Sequence, residues 1–250
     1  MPEAKVPSRD LAGIQIAALT AREAQALVFG QMAPGRHLKL AFCNAHVVNL
    51  GWTNAAFREC LNQFLVLPDG IGVDIGARLL HGQPFPANLN GTDLIPQLLE
   101  TSDRPLSVML LGARPGVGDV AVKRLSARFP RHRIQLLHHG YFTAAEEPEL
   151  LSQLAQGRPD LLLVGFGNPR QEQWIAAHLT AAHCGVAAAI GAFIDFSAGE
   201  VSRAPELVRN LRLEWVYRLA LEPSRLWRRY LLGNPLFLLR MLRLRLGGRP

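Results

Sequence analysis

Leu65-Val66-Leu67-Pro68-Asp69-Gly70-Ile71-Gly72-Val73-Asp74-Ile75-Gly76 is the stretch that decides how this chain is read. The apolar run from Phe64 to Leu67 stops at Pro68, and Asp69 follows at once, with glycines at 70 and 72. The pattern predicts a buried strand, a turn, and a helix over Gly72–Leu80. It offers one carboxylate at the strand's C-terminal edge, where ligands sit in open α/β sheets. A carboxylate there can act as a general base. It can equally cap the helix that starts near Ile71, and twelve residues leave both readings open.

Outward from this segment, short apolar runs alternate with helical patterns. Strands are expected at Leu38–Phe42, Phe64–Leu67, Ser107–Leu111, Arg133–His138, Asp160–Val164 and Gly185–Ile190. Helices are expected over Ala45–Leu61, Gly91–Glu100 (capped by Thr92 or Asp93), Val117–Phe129, Glu146–Gln156 and Arg170–Ala182. The alternation implies an α/β fold: a mostly parallel, Rossmann-like sheet with helices on both faces, plus a C-terminal helical appendage. Composition breaks at Ser202–Pro205, so residues 1–202 are expected to form the catalytic domain and 203–250 a basic amphipathic appendage. In the latter, Glu206–Leu221 reads as helical, Pro223 interrupts, and Ser224–Leu246 is Leu/Arg-rich with a break at Pro235.

Charge distribution is more telling than the total of +7: residues 203–250 hold 11 Arg, no Lys and 3 Glu, net +8, leaving −1 for residues 1–202. Such a segment meets an anion, whether nucleic acid, anionic lipid or a diphosphate, and Arg favours forked recognition of phosphate. Three widely spaced cysteines fit a reducing compartment better than a disulfide framework. Residues 1–10 carry four charges and no apolar core, unlike a signal peptide. The longest near-continuous apolar run, Gly185–Ile194, is too short to span a bilayer.

Several turns could hold chemistry. Gly112-Ala113-Arg114-Pro115-Gly116-Val117-Gly118 follows a strand and opens a helix, where backbone N–H groups can hold a diphosphate. It lacks the P-loop Lys-Ser/Thr pair and the dinucleotide glycine spacing, so a bare tight turn remains open. Gly165-Phe166-Gly167-Asn168-Pro169-Arg170-Gln171-Glu172 is more distinctive, because three long polar residues sit on the first helical turn beside the ligand edge. Asn44 stands at an N-cap position. His46 has no partner at metal-ligand spacing, and His138 and His139, read as adjacent strand residues, would face opposite ways. No metal-holding Asp-x-Asp, His-Glu-x-x-His or Cys pair is present. Arg218, Arg225 and Arg228 would share one face of a continuous helix.

The ordered set of motifs resembles the WecG/TagA/CpsF glycosyltransferases, glycosyltransferase family 26. It runs through Asn44-Ala45-His46, Leu67 to Gly72, Gly91-Thr92-Asp93-Leu94, Leu111 to Gly116, Gly140-Tyr141-Phe142, Gly165 to Trp174, Ile190 to Phe193, Arg203-Ala204-Pro205 and Leu213 to Leu219. The resemblance implies an inverting, metal-independent transferase without a cofactor. It would move a sugar from a UDP-sugar (UDP-N-acetylmannosamine, its uronate, or the UDP-glucose type) onto a polyprenyl-diphosphate-linked sugar. The product would serve cell-surface polysaccharide synthesis. The expected location is cytoplasmic and peripheral, on an anionic membrane surface, with self-association into a homo-oligomer open. On this resemblance Asp69 is the base, Asn44 an active-site residue, and Arg218, Arg225 and Arg228 stabilise the leaving diphosphate. Thr92, Asp93, Gly112, Arg114, Gly167, Gln171 and Glu172 are the expected substrate-binding residues. Phe42 stands where some members have Thr, so the donor is not carried over from them. The competing reading is a nucleic-acid-binding protein using the Arg-rich tail. Against it, Arg there alternates with Leu and not with polar or stacking residues.

Overall fold

The computed structural model describes residues 6–205, 208 and 213–248. Eight strands build one sheet: β1 (Ser8–Leu11), β2 (Ile14–Ala17), β3 (Leu38–Cys43), β4 (Leu65–Pro68), β5 (Ser107–Gly112), β6 (Arg133–His138), β7 (Leu161–Gly165) and β8 (Val186–Ala189). Their order is β1-β2-β4-β3-β8-β7-β5-β6. β1 is antiparallel to β2, and the other pairings are parallel. The six expected strands are all present. The β1–β2 hairpin was not expected, because four-residue strands are too short to establish a period.

Strand residues alternate between two cores, as the period of two demands. On one face lie Ala41, Cys43, Leu162, Val164, Ala187 and Ala189. They are covered by α2 (Ala45–Thr53), α3 (Ala55–Leu61), α4 (Ile71–His81), α7 (Glu147–Gly157) and α8 (Arg170–His178). On the other lie Leu40, Phe42, Leu161, Leu163, Val186 and Ala188. Their cover is α1 (Ala21–Gln31), α5 (Gly91–Thr101), α6 (Val117–Arg128) and α9 (Phe193–Ala198). β3 therefore leads into a helix on one face and its neighbour β8 into a helix on the other. That opens a crevice at the C-terminal edge, where doubly wound sheets bind ligands.

Local chemistry shifts some boundaries. The single helix expected over Ala45–Leu61 breaks at Asn54, which is extended, and its Oδ1 accepts from Phe57 N at 2.9 Å to start α3. The cap of α5 is neither Thr92 nor Asp93. It is Asn90, whose Oδ1 accepts from Asp93 N at 2.9 Å.

The C-terminal segment holds α10 (Glu214–Leu221), α11 (Pro223–Trp227), a π-helical turn (Arg228–Leu232) and α12 (Gly233–Arg245). Of the helix expected over Glu206–Leu221, residues 206, 207 and 209–212 lie outside the described ones. Pro223 starts α11 and Pro235 sits in the first turn of α12, where a missing N–H costs nothing. The expected break at Pro235 is replaced by the π-helical turn just before it. α12 belongs to the body. Phe237 and Met241, 1% and 0% exposed, join the core cluster of α2 and α4. A Cβ on Gly76 would lie 2.9 Å from the Phe237 ring, so that glycine admits the helix. Asn49 Nδ2 donates to Gly233 O at 2.7 Å, and Arg240 Nη1 donates to Asn49 Oδ1 at 2.7 Å. Among the described residues no helix is long and apolar enough to cross a membrane.

Truncating Phe237 to Ala should therefore lower stability by about 3–5 kcal/mol, as for a buried core aromatic. Chemical denaturation checks this. A loss under about 1 kcal/mol, the size of a surface change, would mean that α12 lies on the body without supporting it.

Candidate active site

The parallel ladder of β3 and β4 builds the centre of the site. Cys43 is in register with Pro68, and Asp69 N donates to Cys43 O at 2.9 Å, carrying the pairing one residue past the strands. The next residue on each strand is then Asn44 and Asp69. Asn44 caps α2: its Oδ1 accepts from His46 N at 3.1 Å and Val47 N at 3.2 Å. That fixes the amide's orientation, so Nδ2 is presented to Asp69 Oδ2 at 3.1 Å. Asp69 does not cap α4. The cap position is Gly70, at φ 88°, with no side-chain bond, and Gly70 N donates to Asn88 Oδ1 at 2.7 Å. The half-buried carboxylate of Asp69 is thus left for the crevice, oriented by one amide.

The neighbouring turns are closed by glycines and one buried amide. A Cβ on Gly112 would lie 2.5 Å from Gly165 O, so that glycine lets the β5 and β7 ends meet. Ala113 N donates to Gly165 O at 3.2 Å. Gly167, at φ 83°, has open space on its Cβ side. Gln171 and Glu172 are placed differently from the expectation of a polar first turn facing ligand. Both are 1% exposed. Gln171 Oε1 accepts from Gly167 N at 3.1 Å and from Gly191 N at 3.2 Å, and Nε2 donates to Glu172 Oε1 at 2.8 Å. They shape the turns from inside because the glycine backbones supply the nearer polar partners. Arg114 pairs with Glu200 at 3.0 Å on the exposed rim, a contact of at most about 1 kcal/mol.

The C-terminal segment closes over this edge. Arg203 pairs with Asp93 on the first turn of α5, beside half-buried Thr92. Ser202 Oγ and Tyr217 Oη share a hydrogen bond at 3.1 Å. Arg218 lies 5.2 Å from the centroid of the Phe196 ring on α9. Burial pushes the Glu214 carboxyl up, and the charges of Arg203, Asp69, Arg218 and Asp93 all reach it. α10 therefore spans from the β4 end to α9.

The three expected arginines are not brought together as one set. Arg218 faces the edge. Arg225 is exposed, pairs with Glu222 at 2.6 Å, and its charge reaches Asp195. Arg228 is exposed beside its neighbour Trp227, 5.4 Å from the ring centroid. The cation turned inward is Arg229, which sequence reasoning missed. Burial lowers its pKa from the usual guanidinium value, and the charges of Arg218, Asp69 and Arg225 bear on it. Burial, then Arg229, also push the pKa of His46 down to about 4, so that imidazole is neutral near pH 7. The helix is interrupted at Glu222, which is non-helical (φ −130°, ψ 59°) between α10 and α11, so the α-helical spacing that groups Arg218 with Arg225 and Arg228 does not carry across it. Only the break in the helix pattern around Pro223 and Pro235 could have warned of it.

Buried atoms without partners point the same way. Nε of Arg203, Arg218 and Arg229 is buried in each case without a hydrogen-bond partner. Orphaned buried donors are costly, and an anion between these arginines would satisfy them. No group of three or more His, Cys, Asp or Glu suited to a metal is found among the described residues. His139 lies past the end of β6, so the two histidines do not diverge: their ring centroids are 4.0 Å apart. Two surface cavities, of about 320 and 580 Å³, lie at the opposite end of the sheet, around His132 and Asp160.

Comparison with known proteins fits this geometry. The sequence model of the glycosyl transferase WecG/TagA/CpsF family matches residues 9–250. The chain belongs to this family. It is a glycosyltransferase. It is similar to the N-acetylglucosaminyldiphosphoundecaprenol N-acetyl-beta-D-mannosaminyltransferase of Staphylococcus aureus strain MRSA252. The two are 31% identical over 204 residues, 81% of this chain and 78% of that protein. The protein of the same name from strain NCTC 8325 / PS 47 is 30% identical over the same shares. In this glycosyltransferase the strand-edge motifs and the arginines of the closing segment lie within the matched family region.

The dual duty of Asn44 gives a test. Asn44→Ala removes the cap and the contact to Asp69, and should cost about 0.5–2 kcal/mol of stability. Asn44→Asp still caps α2 but sets two carboxylates side by side, which raises the pKa of one. It should recover most of the stability by denaturation and little of the transferase rate at neutral pH. Full recovery of rate by Asp would show that the amide does not orient Asp69.

Proposed function

We propose that this glycosyltransferase moves a sugar, with inversion, from a UDP-sugar onto a polyprenyl-diphosphate-linked sugar during cell-surface polysaccharide synthesis, at the cytoplasmic face of the membrane. The donor proposed first is UDP-N-acetylmannosamine, from the names of the relatives. The observation that carries the reading is one oriented carboxylate at the crevice, faced by arginines with orphaned Nε atoms.

The chemistry needs one displacement. Asp69 takes the proton of the acceptor hydroxyl. The acceptor oxygen attacks the anomeric carbon of the donor from the side opposite UDP and forms the new glycosidic bond. The bond from that carbon to the β-phosphate oxygen breaks, and its electron pair leaves with UDP. Arg218 and Arg229 neutralise the charge that develops on the diphosphate. Arg203, held by Asp93, joins them. These cations do the work that a metal does in many nucleotide-sugar enzymes, so a metal-independent mechanism suits the site.

A membrane surface suits the outer side of the same segment. Trp227, Leu231, Leu232, Leu239 and Leu246 are exposed, interspersed with exposed Arg228 and Arg243. An amphipathic surface of this kind lies in the headgroup region, and each basic residue near anionic lipid adds about 1 kcal/mol. The acceptor's polyprenyl chain would be anchored beside it.

The direct experiment is a screen of UDP-sugars against a lipid-diphosphate acceptor, read by the mass of the lipid product. Asp69→Asn should lower kcat by about 10²–10⁴-fold, the usual worth of a general base, while UDP still binds. Near-normal turnover in that variant would remove Asp69 from the reaction. The arginines are separable on a short, water-soluble acceptor. Arg218→Ala and Arg229→Ala should each depress kcat by about 10²-fold or more, like the loss of one donor to developing charge. Arg228→Ala should leave soluble transfer close to wild type and weaken binding to anionic vesicles. Equal losses from Arg228 and Arg229 would mean general charge and not placed cations.

A further inference from the structure

Glu172 is a charged residue type that is rarely wholly buried unless paired, yet it is 1% exposed at the start of α8. Its two hydrogen-bond partners are neutral amides. Asn168 Nδ2 donates at 2.5 Å and Gln171 Nε2 at 2.8 Å, both to Oε1. Oε2 is buried with no partner. From the other elements packed near it, the titratable groups within reach are the thiols of Cys43 on β3 and Cys60 on α3. Burial raises the pKa of both thiols, so neither brings positive charge. Lys39 bears on Cys60, and its Nζ donates to Gln63 Oε1 at 3.2 Å and Ala176 O at 3.1 Å.

This carboxyl decides which way the Gln171 amide faces. Two backbone N–H groups, of Gly167 at the β7 end and Gly191 at the β8 end, donate to Gln171 Oε1. A flipped amide would turn its own NH₂ on them. Glu172 Oε1, accepting from Nε2, holds the productive orientation. The same oxygen holds Asn168, the residue between Gly167 and Pro169. One buried oxygen thus braces two glycine turns that flank the crevice beside β3. We propose that Glu172 is a positioning residue whose carboxyl locks the β7 and β8 turns into the shape that receives the diphosphate of the donor. The diphosphate part rests on the proposed donor reading; the bracing part does not. The helix N-terminus and the two amides favour the anion, but burial is the largest influence and pushes the Glu172 pKa up.

The raised pKa of the buried carboxyl sets the sign of a pH effect. In a locally opened turn Glu172 meets water and takes its ordinary pKa of about 4.3. The closed turns therefore have their full advantage below that pH, and lose it as pH rises toward the raised folded value. Gln at this position reproduces the uncharged acid without titrating.

The test uses the full-length protein. Amide hydrogen exchange at Gly167 and Gly191, corrected for intrinsic rates, should lose protection as pH rises above about 4.3 in the wild type. The slope should vanish in Glu172→Gln. UDP affinity at neutral pH should stay within about twofold of wild type in Glu172→Gln. It should fall about tenfold in Glu172→Ala, as for a buried hydrogen-bond network left unsatisfied. The rate of donor transfer in Glu172→Ala should fall about 10²-fold, as for a small misplacement of reacting groups. Equal pH slopes in wild type and Glu172→Gln would overturn Glu172 as the group that braces these turns. So would a Gln variant as impaired as Ala, or an Ala variant with protection and UDP affinity intact. If Glu172→Ala does not fold, the comparison of wild type with Glu172→Gln still decides. A wild type that binds no UDP would overturn the donor reading, while the exchange measurement would judge Glu172 by itself.

Discussion

Parallel pairing of β3 with β4 is the constraint on which the site depends. The ladder sets Cys43 opposite Pro68 and runs one bond further, from Asp69 N to Cys43 O. Once that bond is made, Asn44 and Asp69 emerge side by side. A one-residue slip would turn every side chain of β4 to the opposite face, and Asp69 would no longer follow its strand into the crevice beside Asn44. The same edge receives the turns after β5, β7 and β8, so the glycines at 112, 167 and 191 each take up a conformation or a close approach that leaves the crevice open. The placement of Asn44 and Asp69 comes from backbone register first and from side-chain bonds second.

Charge is arranged on two levels. The body offers carboxylates, Asp69 and Asp93, at its edge. The closing segment returns arginines to them: Arg203 to Asp93, and Arg229 within reach of Asp69. Burying these guanidinium groups is unfavourable without acceptors, and three Nε atoms remain orphaned. Such a surface suits the anion of the proposed donor, since donors held in place need no reorganisation when charge develops. The segment is anchored at both ends. Arg203 ties its start to α5, and α12 is driven into the core by Phe237 and Met241. The outer side of the same helices stays exposed, apolar and basic.

What the sequence determined by itself was local and periodic. Alternating apolar runs specified six of the strands and the helices between them, and so the α/β class, because buried parallel strands need near-continuous apolar stretches. Asp69 was legible because Pro68 ends a strand and places it at an edge. Asn44 was legible as a cap, and the uneven charge marked residues 203–250 as the basic segment. Tertiary structure decided what depends on several segments at once. The amide of Gln171 turned inward because Gly167 and Gly191, far apart in sequence, bring their N–H groups to one point only when β7 and β8 pair. Glu172 lost its solvent for the same reason. Arg229 turned inward in place of Arg228 because the helix is interrupted at Glu222, and spacing counted from Arg218 does not carry across that break. Periodicity carries the direction of a side chain within one regular element. It carries nothing across a break in the helix or between strands that meet only in the folded sheet.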